Sequence, residues 1–213
     1  LDLTGMLLAL GVSAPALRPL SHRMRRVRHA VLALLLVWTL LPLGLALWDE
    51  AAQRRAFPTL FSFDSALVLS RLEGDAPFRR VTRTEFSSQA LLQIDFRPGP
   101  FSTLKLWHFP RDWRAYERLH IKLYNPSTEP LMLQVRLHDR AHQLDPERYP
   151  GRYWERFSLQ AGWNELAIPL ARVVAAPAAR QMALDDMVSI MLYTANLTER
   201  RRVYLAELRL VAE

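Results

Sequence analysis

The chain has 213 residues, and its 28 Lys and Arg side chains exceed its 21 Asp and Glu side chains to give a net charge of +7. The excess of cations is concentrated near the N-terminus, which argues against a nucleic-acid-binding protein. There is no cysteine, so disulfides, thiolate nucleophiles and zinc–thiolate sites are excluded.

Residues 1–29 are predicted to combine the end of an earlier membrane helix with a basic cytoplasmic loop. Residues 1–12 are apolar apart from Asp2 and Thr4, but twelve residues are too few to span a bilayer. The sequence does not begin with Met, so we expect either a processed chain or the C-terminal part of a longer protein. Five arginines lie in the basic loop: Arg18, Arg23, Arg25, Arg26 and Arg28.

Residues 30–48 form an uncharged apolar stretch of 19 residues. As a helix it would be about 28 Å long, close to the roughly 30 Å of a bilayer core. Pro42 is tolerated in membrane helices, and Trp48 suits the interface. The sequence predicts a transmembrane helix here. The alternatives are a buried helix of a soluble protein, or a signal peptide if translation begins at Met24 and cleavage follows Gly44-Leu45-Ala46.

The charges on the two sides of this stretch predict its orientation. Arginines precede it, whereas Asp49 and Glu50 follow it directly. Positive charge stays on the cytoplasmic side, so we expect the C-terminal domain in the periplasm of a bacterial inner membrane. The lipid bilayer is then one partner of the chain.

Beyond a predicted linker at residues 49–63, the hydrophobic period becomes two. Turn signals such as Asn125-Pro126 and Ala161-Gly162 separate short alternating or apolar segments, which is typical of strands. Eight segments are predicted as strands: residues 91–96, 104–109, 119–124, 131–139, 154–159, 165–170, 187–194 and 203–211. Residues 170–176 are predicted to form a short helical turn. Residues 64–213 are therefore predicted to form an all-β domain, a jelly-roll β-sandwich.

Alternation gives each strand an apolar face and a second face that combines aromatic with basic or amide side chains. Aromatic rings stack on sugars and planar polar groups bind hydroxyls, while basic groups favour acidic sugars such as uronates. The alternative is a solvated sheet face with ordinary cross-strand pairs. Eight side chains are predicted as ligand-binding: Trp107, Lys122, Tyr124, Arg136, His138, Trp154, Arg156 and Tyr193.

The densest polar cluster contains His138, Asp139, His142 and Asp145. Its spacing matches no fixed metal-ligand signature, and it lies where a strand ends, so we expect it to support the turn. The sequence contains no nucleophile elbow, phosphate-binding glycine loop or His-Glu-x-x-His motif. We therefore expect no cofactor, no bound metal and no enzymatic activity.

Three segments carry a resemblance to known proteins. Residues 113–126 resemble the "W..y..L.f.iyNp" strand entry of galactose-binding-like jelly rolls, residues 162–170 resemble their "GWN.i.ipl" strand, and residues 203–210 resemble their closing strand. Ala206 stands where many such domains have a calcium-binding Asp, so calcium is not implied. Residues 2–11 also resemble the last core helix of VanZ-like membrane proteins.

Many members of the galactose-binding-like superfamily are carbohydrate-binding modules. The resemblance implies a membrane-anchored periplasmic module that binds an envelope glycan or an exported acidic polysaccharide. The alternatives are a protein-interaction domain that docks on an envelope or polysaccharide-export complex, and an enzyme that uses the loop from His138 to Asp145.

Overall fold

The structure is a computed structural model that describes residues 22–83, 85, 87–144 and 151–212. The chain divides into two compact units, Leu1–Trp48 and Asp49–Glu213. The segment 2–11, with its resemblance to VanZ-like proteins, lies outside the described residues.

A single long helix, α1 (His22–Ala56), contains the whole predicted span. It is long and apolar enough to cross a membrane, a composition that membrane anchors share with signal sequences. None of its residues is buried, unlike those of a core helix in a soluble protein. The helix continues eight residues past Trp48, so the first half of the expected linker is helical.

The described part of the second unit is built mainly from short strands, with a 3-10 helix at Ala66–Arg71 and two short helices, α2 (Arg140–Leu144) and α3 (Leu170–Ala175). Its strands are β1 (Thr59–Phe61), β2 (Leu72–Gly74), β3 (Phe78–Arg83), β4 (Ser87–Phe96), β5 (Gly99–Leu106), β6 (Arg118–Asn125), β7 (Leu131–Asp139), β8 (Tyr153–Leu159), β9 (Gly162–Pro169), β10 (Met187–Leu197) and β11 (Arg201–Val211).

These strands form two antiparallel sheets. One has the order β3-β4-β11-β6-β9, with β1 also paired to β11; the other has the order β2-β5-β10-β7-β8. Strands that follow one another in the chain repeatedly lie in different sheets, as β4 and β5 do. A β-sandwich of jelly-roll type preceded by one apolar helix confirms the predicted fold class.

The core lies between the two sheets and follows the period of two. Leu133, Val135 and Leu137 of β7 are fully buried, whereas their neighbours Met132 and Arg136 lie on the outer side. Because successive side chains of a strand point to opposite faces, one alternating strand contributes to the core and to the outer surface at once.

The sequence analysis does not predict three of the observed strands, and β5 is the strand displaced most from its predicted position. β1 and β2 have only three residues each, and two adjacent arginines interrupt the alternation of β3. The strand predicted at residues 104–109 is observed at Gly99–Leu106. The segment Arg97-Pro98-Gly99-Pro100 has the composition of a turn, but Gly99, at φ +137°, already begins the strand.

Candidate functional site

The structure divides the eight predicted ligand-binding residues between the two outer surfaces of the sandwich. We call the outer side of the sheet β2-β5-β10-β7-β8 the five-stranded face, and that of the other sheet the six-stranded face. Six of the eight belong to the five-stranded face: Trp107, Arg136, His138, Trp154, Arg156 and Tyr193. Lys122 and Tyr124, on β6, lie on the six-stranded face instead.

The strand register places four of the six residues in two rows across the five-stranded face. One row consists of Thr103, Tyr193, Gln134 and Arg156, and the next of Lys105, Met191, Arg136 and Trp154. Neighbouring strands are about 4.8 Å apart, so side chains in one row are in reach of each other. The rows therefore form one continuous surface of rings, guanidinium groups and an amide.

Neighbouring side chains fix the orientation of the Trp154 ring. Its indole N–H donates a 2.9 Å hydrogen bond to Oε1 of Gln134, and the guanidinium carbon of Arg156 lies 4.8 Å from its ring centroid. The side chain is nevertheless 44% exposed. Trp154 thus presents an oriented, accessible ring.

Arg136 and Tyr193 form a second pair beside it. A terminal nitrogen of Arg136 donates to the Tyr193 hydroxyl at 3.3 Å, and the guanidinium carbon lies 4.9 Å from the tyrosine ring centroid. Tyr193 is buried, but Phe101, 6.3 Å from it between ring centroids, is 64% exposed. The five-stranded face therefore has exposed aromatic rings at both ends of this pair.

A groove of about 560 Å³ runs over these side chains. Its walls include Ala176 and Ala178, which follow α3, and Asn196. The groove is lined by Phe101, Gln134, Arg136, Arg152, Trp154, Arg156, Ala176, Ala178, Tyr193, Ala195 and Asn196. The sequence pattern could have identified Gln134, because it lies two residues before Arg136 and therefore on the same side of β7. No sequence pattern predicts that Ala176 and Ala178 line the groove, because their position depends on how the loop after α3 folds back towards the sheet.

That loop is attached to the sheet through Asp139, at the end of β7. The fully buried carboxylate accepts hydrogen bonds from the guanidinium of Arg180, from the Ala183 N–H at 2.9 Å and from the His142 N–H at 3.0 Å. Burial alone would raise the pKa of Asp139, but these hydrogen bonds outweigh it and hold the pKa below its usual value. Asp139 is therefore ionised and has a structural role.

The histidines of this cluster are held neutral. Burial, followed by the nearby His142 and Arg136, lowers the pKa of His138 to about 3, and burial also lowers the pKa of His142. Their ring centroids are 4.4 Å apart. Among the residues that the structure describes, which do not include Asp145, no group of three or more potential ligands is placed to hold a metal ion.

The six-stranded face also has an aromatic cluster, but the depression beside that cluster is small. Trp163 packs edge-on against Tyr124 with ring centroids 5.2 Å apart, and Nζ of Lys122 lies 5.1 Å from the Trp163 ring centroid. The same ammonium is 3.8 Å from a carboxylate oxygen of Glu165. The depression beside Lys122 is only about 60 Å³. The five-stranded face is therefore the better candidate for a binding site.

The chain matches no protein-family model and no curated protein sequence. Solved structures similar to it include a family 11 carbohydrate-binding module from Clostridium thermocellum in complex with a β-1,3-1,4-mixed-linked tetrasaccharide. The TM-score is 0.53 at 10% identity, over 72% of this chain and 94% of the module.

Two agarase structures are similar over a smaller part of their own length. An exo-β-agarase has a TM-score of 0.55 at 11% identity, over 73% of this chain and 25% of the enzyme. A second agarase has a TM-score of 0.53 at 12% identity, over 73% of this chain and 26% of the enzyme. At these identities the likeness shows the fold alone: the second unit has the jelly-roll fold of carbohydrate-binding modules.

Proposed function

We propose that the second unit is a non-catalytic carbohydrate-binding module that holds a polysaccharide along the groove of the five-stranded face. The observation that carries this proposal is the Trp154 ring, which is exposed yet oriented by Gln134 and Arg156. A sugar ring presents C–H groups that stack on such a surface, and its hydroxyls find amide and guanidinium partners beside it.

The dimensions and the fold support the same function. A volume of about 560 Å³ is within the roughly 300–1,000 Å³ of typical ligand sites. The similar module from Clostridium thermocellum holds a tetrasaccharide on the same fold, which supports a glycan as the ligand here.

We further propose that α1 anchors this module in a bacterial inner membrane, with the domain in the periplasm. The apolar helix and the arginines before its uncharged stretch support this orientation. The polysaccharide would then belong to the cell envelope or be an exported one. The module would hold it close to the membrane surface.

The test compares two tryptophans on opposite faces in the full chain, purified in detergent. Trp154 and Trp163 are 44% and 40% exposed, and each has a cation over its ring. Affinity is measured by calorimetry with soluble mixed-linked glucan, agaro-oligosaccharides and an exported uronate-containing polysaccharide. We expect Trp154→Ala to weaken binding of the best ligand about five- to tenfold, since one stacked ring contributes on the order of 1 kcal/mol.

Trp163→Ala is the matched control and should leave affinity unchanged. Equal effects of the two substitutions, or a loss confined to Trp163→Ala, would place the ligand elsewhere. Absence of binding to every glycan by the unsubstituted chain would refute the proposed function itself.

A further inference from the structure

Three buried side-chain nitrogens on the five-stranded face have no hydrogen-bond partner among the residues that the structure describes. They are Nε1 of Trp107, Nε of Arg136 and Nε2 of His138. An indole N–H and a guanidinium N–H can only donate. Leaving a buried donor without an acceptor costs roughly 1–3 kcal/mol, so the indole and guanidinium N–H groups point to an acceptor that comes from outside the chain. Nε2 of the neutral His138 can donate to the same acceptor when it carries the ring proton.

The register brings these donors to one end of the face. Leu106 pairs with Ile190, so Trp107, the next residue, comes level with Ser189, and Ser189 pairs with His138. Arg136 is two residues before His138 on the same side of β7. Ser189 is only 1% exposed although it is on an outer face. The register places Ser189 between Trp107 and His138.

Among the described residues, the charged groups that act most strongly on His138 are cations. Beyond burial and His142, the groups that most strongly lower the pKa of His138 are Arg136, Arg152 and Lys105. Nζ of Lys105 lies 5.7 Å from the Trp107 ring centroid. The nearest buried carboxylate, Asp139, is already occupied by Arg180. An anion held at this place would therefore lie close to Arg136 and Lys105 and to donors that have no partner in the described part of the chain.

We propose that Trp107, Arg136 and His138 form an oxyanion subsite, which holds a carboxylate or sulfate substituent of the bound polysaccharide. This inference rests on the proposed function and narrows its ligand to an acidic glycan. Arg136 belongs both to the groove and to the proposed subsite, because it lines the groove and pairs with Trp154 in the strand register. A sugar stacked on Trp154 thus has its substituent, or that of the next sugar, within reach of Arg136.

The geometry favours an anion over a metal ion. His138 and His142 each have one ring nitrogen without a partner in the described part of the chain, and their rings are close. A metal ion bound between them would lie among Arg136, Arg152 and Lys105, which repel a cation. The same cations strengthen hydrogen bonds to an oxyanion.

The experiment follows the indole N–H of Trp107 and the imidazole of His138 by NMR in the full chain in detergent. D-glucuronate and inorganic sulfate are the two anionic probes, and D-glucose is the neutral one. We expect at least one anion to shift the Trp107 indole resonance saturably and to raise the pKa of His138 by about one unit or more, while glucose does neither. The anion that binds more tightly shows whether the natural substituent is a carboxylate or a sulfate.

Trp107→Phe removes the donor but keeps a ring, and Trp163→Phe is the control on the six-stranded face. We expect the first substitution to weaken anion binding at least threefold, measured at His138, and the second to leave it unchanged. Absence of any response to both anions would overturn the inference. An equal response to glucose would do so too, as would stoichiometric Zn²⁺ binding at the two imidazoles that excludes the anions.

The outcomes also separate this inference from the proposed function. Equal affinity for neutral and acidic polysaccharides, with no anion response at Trp107, would leave the binding module intact and remove the subsite. A specific anion response without binding of any polysaccharide would retain the subsite and remove the module.

Discussion

Asp139→Ala should strongly destabilise the second unit, because it removes the acceptor that attaches the groove wall to β7. The substitution leaves the Arg180 guanidinium and the N–H groups of His142 and Ala183 without their shared partner. Breaking a buried ion pair by removing one member typically costs about 3–5 kcal/mol. With a urea m-value of about 2 kcal/mol/M, the unfolding midpoint should fall by roughly 1.5–2.5 M.

Urea unfolding of the full chain in detergent, followed by tryptophan fluorescence, measures this shift. Arg180→Ala added to Asp139→Ala should cost much less than Arg180→Ala alone, because the charge left unpaired is removed as well. Asp112→Ala is the control: Asp112 forms an ion pair with Arg114 at the exposed surface, and no resolvable change in midpoint is expected. A midpoint shift below about 0.5 M for Asp139→Ala, equivalent to about 1 kcal/mol, would refute the structural role of Asp139.

The same carboxylate should make stability depend on pH. Its pKa is lower in the folded protein than in the unfolded chain, where it is about 3.9. The stabilisation is therefore complete above the unfolded pKa and is lost as the pH falls through the folded pKa. The difference in unfolding midpoint between the unsubstituted chain and Asp139→Ala should shrink on acidification below about pH 4. A difference that stays constant down to acid unfolding would contradict this.

Three further predictions concern the anchor and the fold. Alkaline phosphatase fused after Arg55 should be active in a bacterial host and inactive when fused after Arg28; the reverse pattern would place the domain in the cytoplasm. The chain should stay in the membrane fraction after a carbonate wash, whereas a soluble periplasmic product beginning near Leu47 would identify α1 as a signal peptide. Gly74→Ala should lower the thermal midpoint or prevent folding, because its new Cβ would lie 2.1 Å from the Thr103 carbonyl oxygen. Gly44→Ala, whose Cβ meets nothing within 4 Å, should leave the midpoint unchanged.

How far the sequence predicts the fold depends on whether a strand has one buried face. β7 is predicted at its observed bounds because its leucines and valine face the core while Arg136 and His138 face outward. β2 has no such contrast over three residues, so no period exists to detect. β3 lies at the edge of its sheet, where adjacent arginines are tolerated and the alternation is lost.

The candidate site could be predicted only in part, for a different physical reason. Alternation shows which side chains leave the core, but it cannot show to which sheet a strand belongs. Lys122 and Tyr124 fit the pattern as well as Arg136 and Trp154, yet β6 pairs with β9 and β11 and turns them to the six-stranded face. The groove wall depends on the contact between Asp139 and Arg180, 41 residues apart, which no local pattern contains.

Under the proposed function, charge balance distinguishes the two faces, although their side chains are similar. Each face has an exposed tryptophan beneath a cation, but Lys122 on the six-stranded face lies next to the carboxylate of Glu165. The charge beside the exposed ring of Trp163 is therefore compensated within that face. On the five-stranded face, Lys105, Arg136 and Arg156 form no ion pair with a carboxylate in the described part of the chain.

Cations that lie over aromatic rings without a carboxylate keep their full attraction for an incoming anion. They also repel one another, so a neutral ligand would leave this repulsion unrelieved, whereas an acidic glycan would remove it on binding. The favourable electrostatic term therefore exists only for ligands that carry negative charge. The charges on the sheet would then favour acidic over neutral polysaccharides, whereas the ring of Trp154 would stack on sugars of either kind.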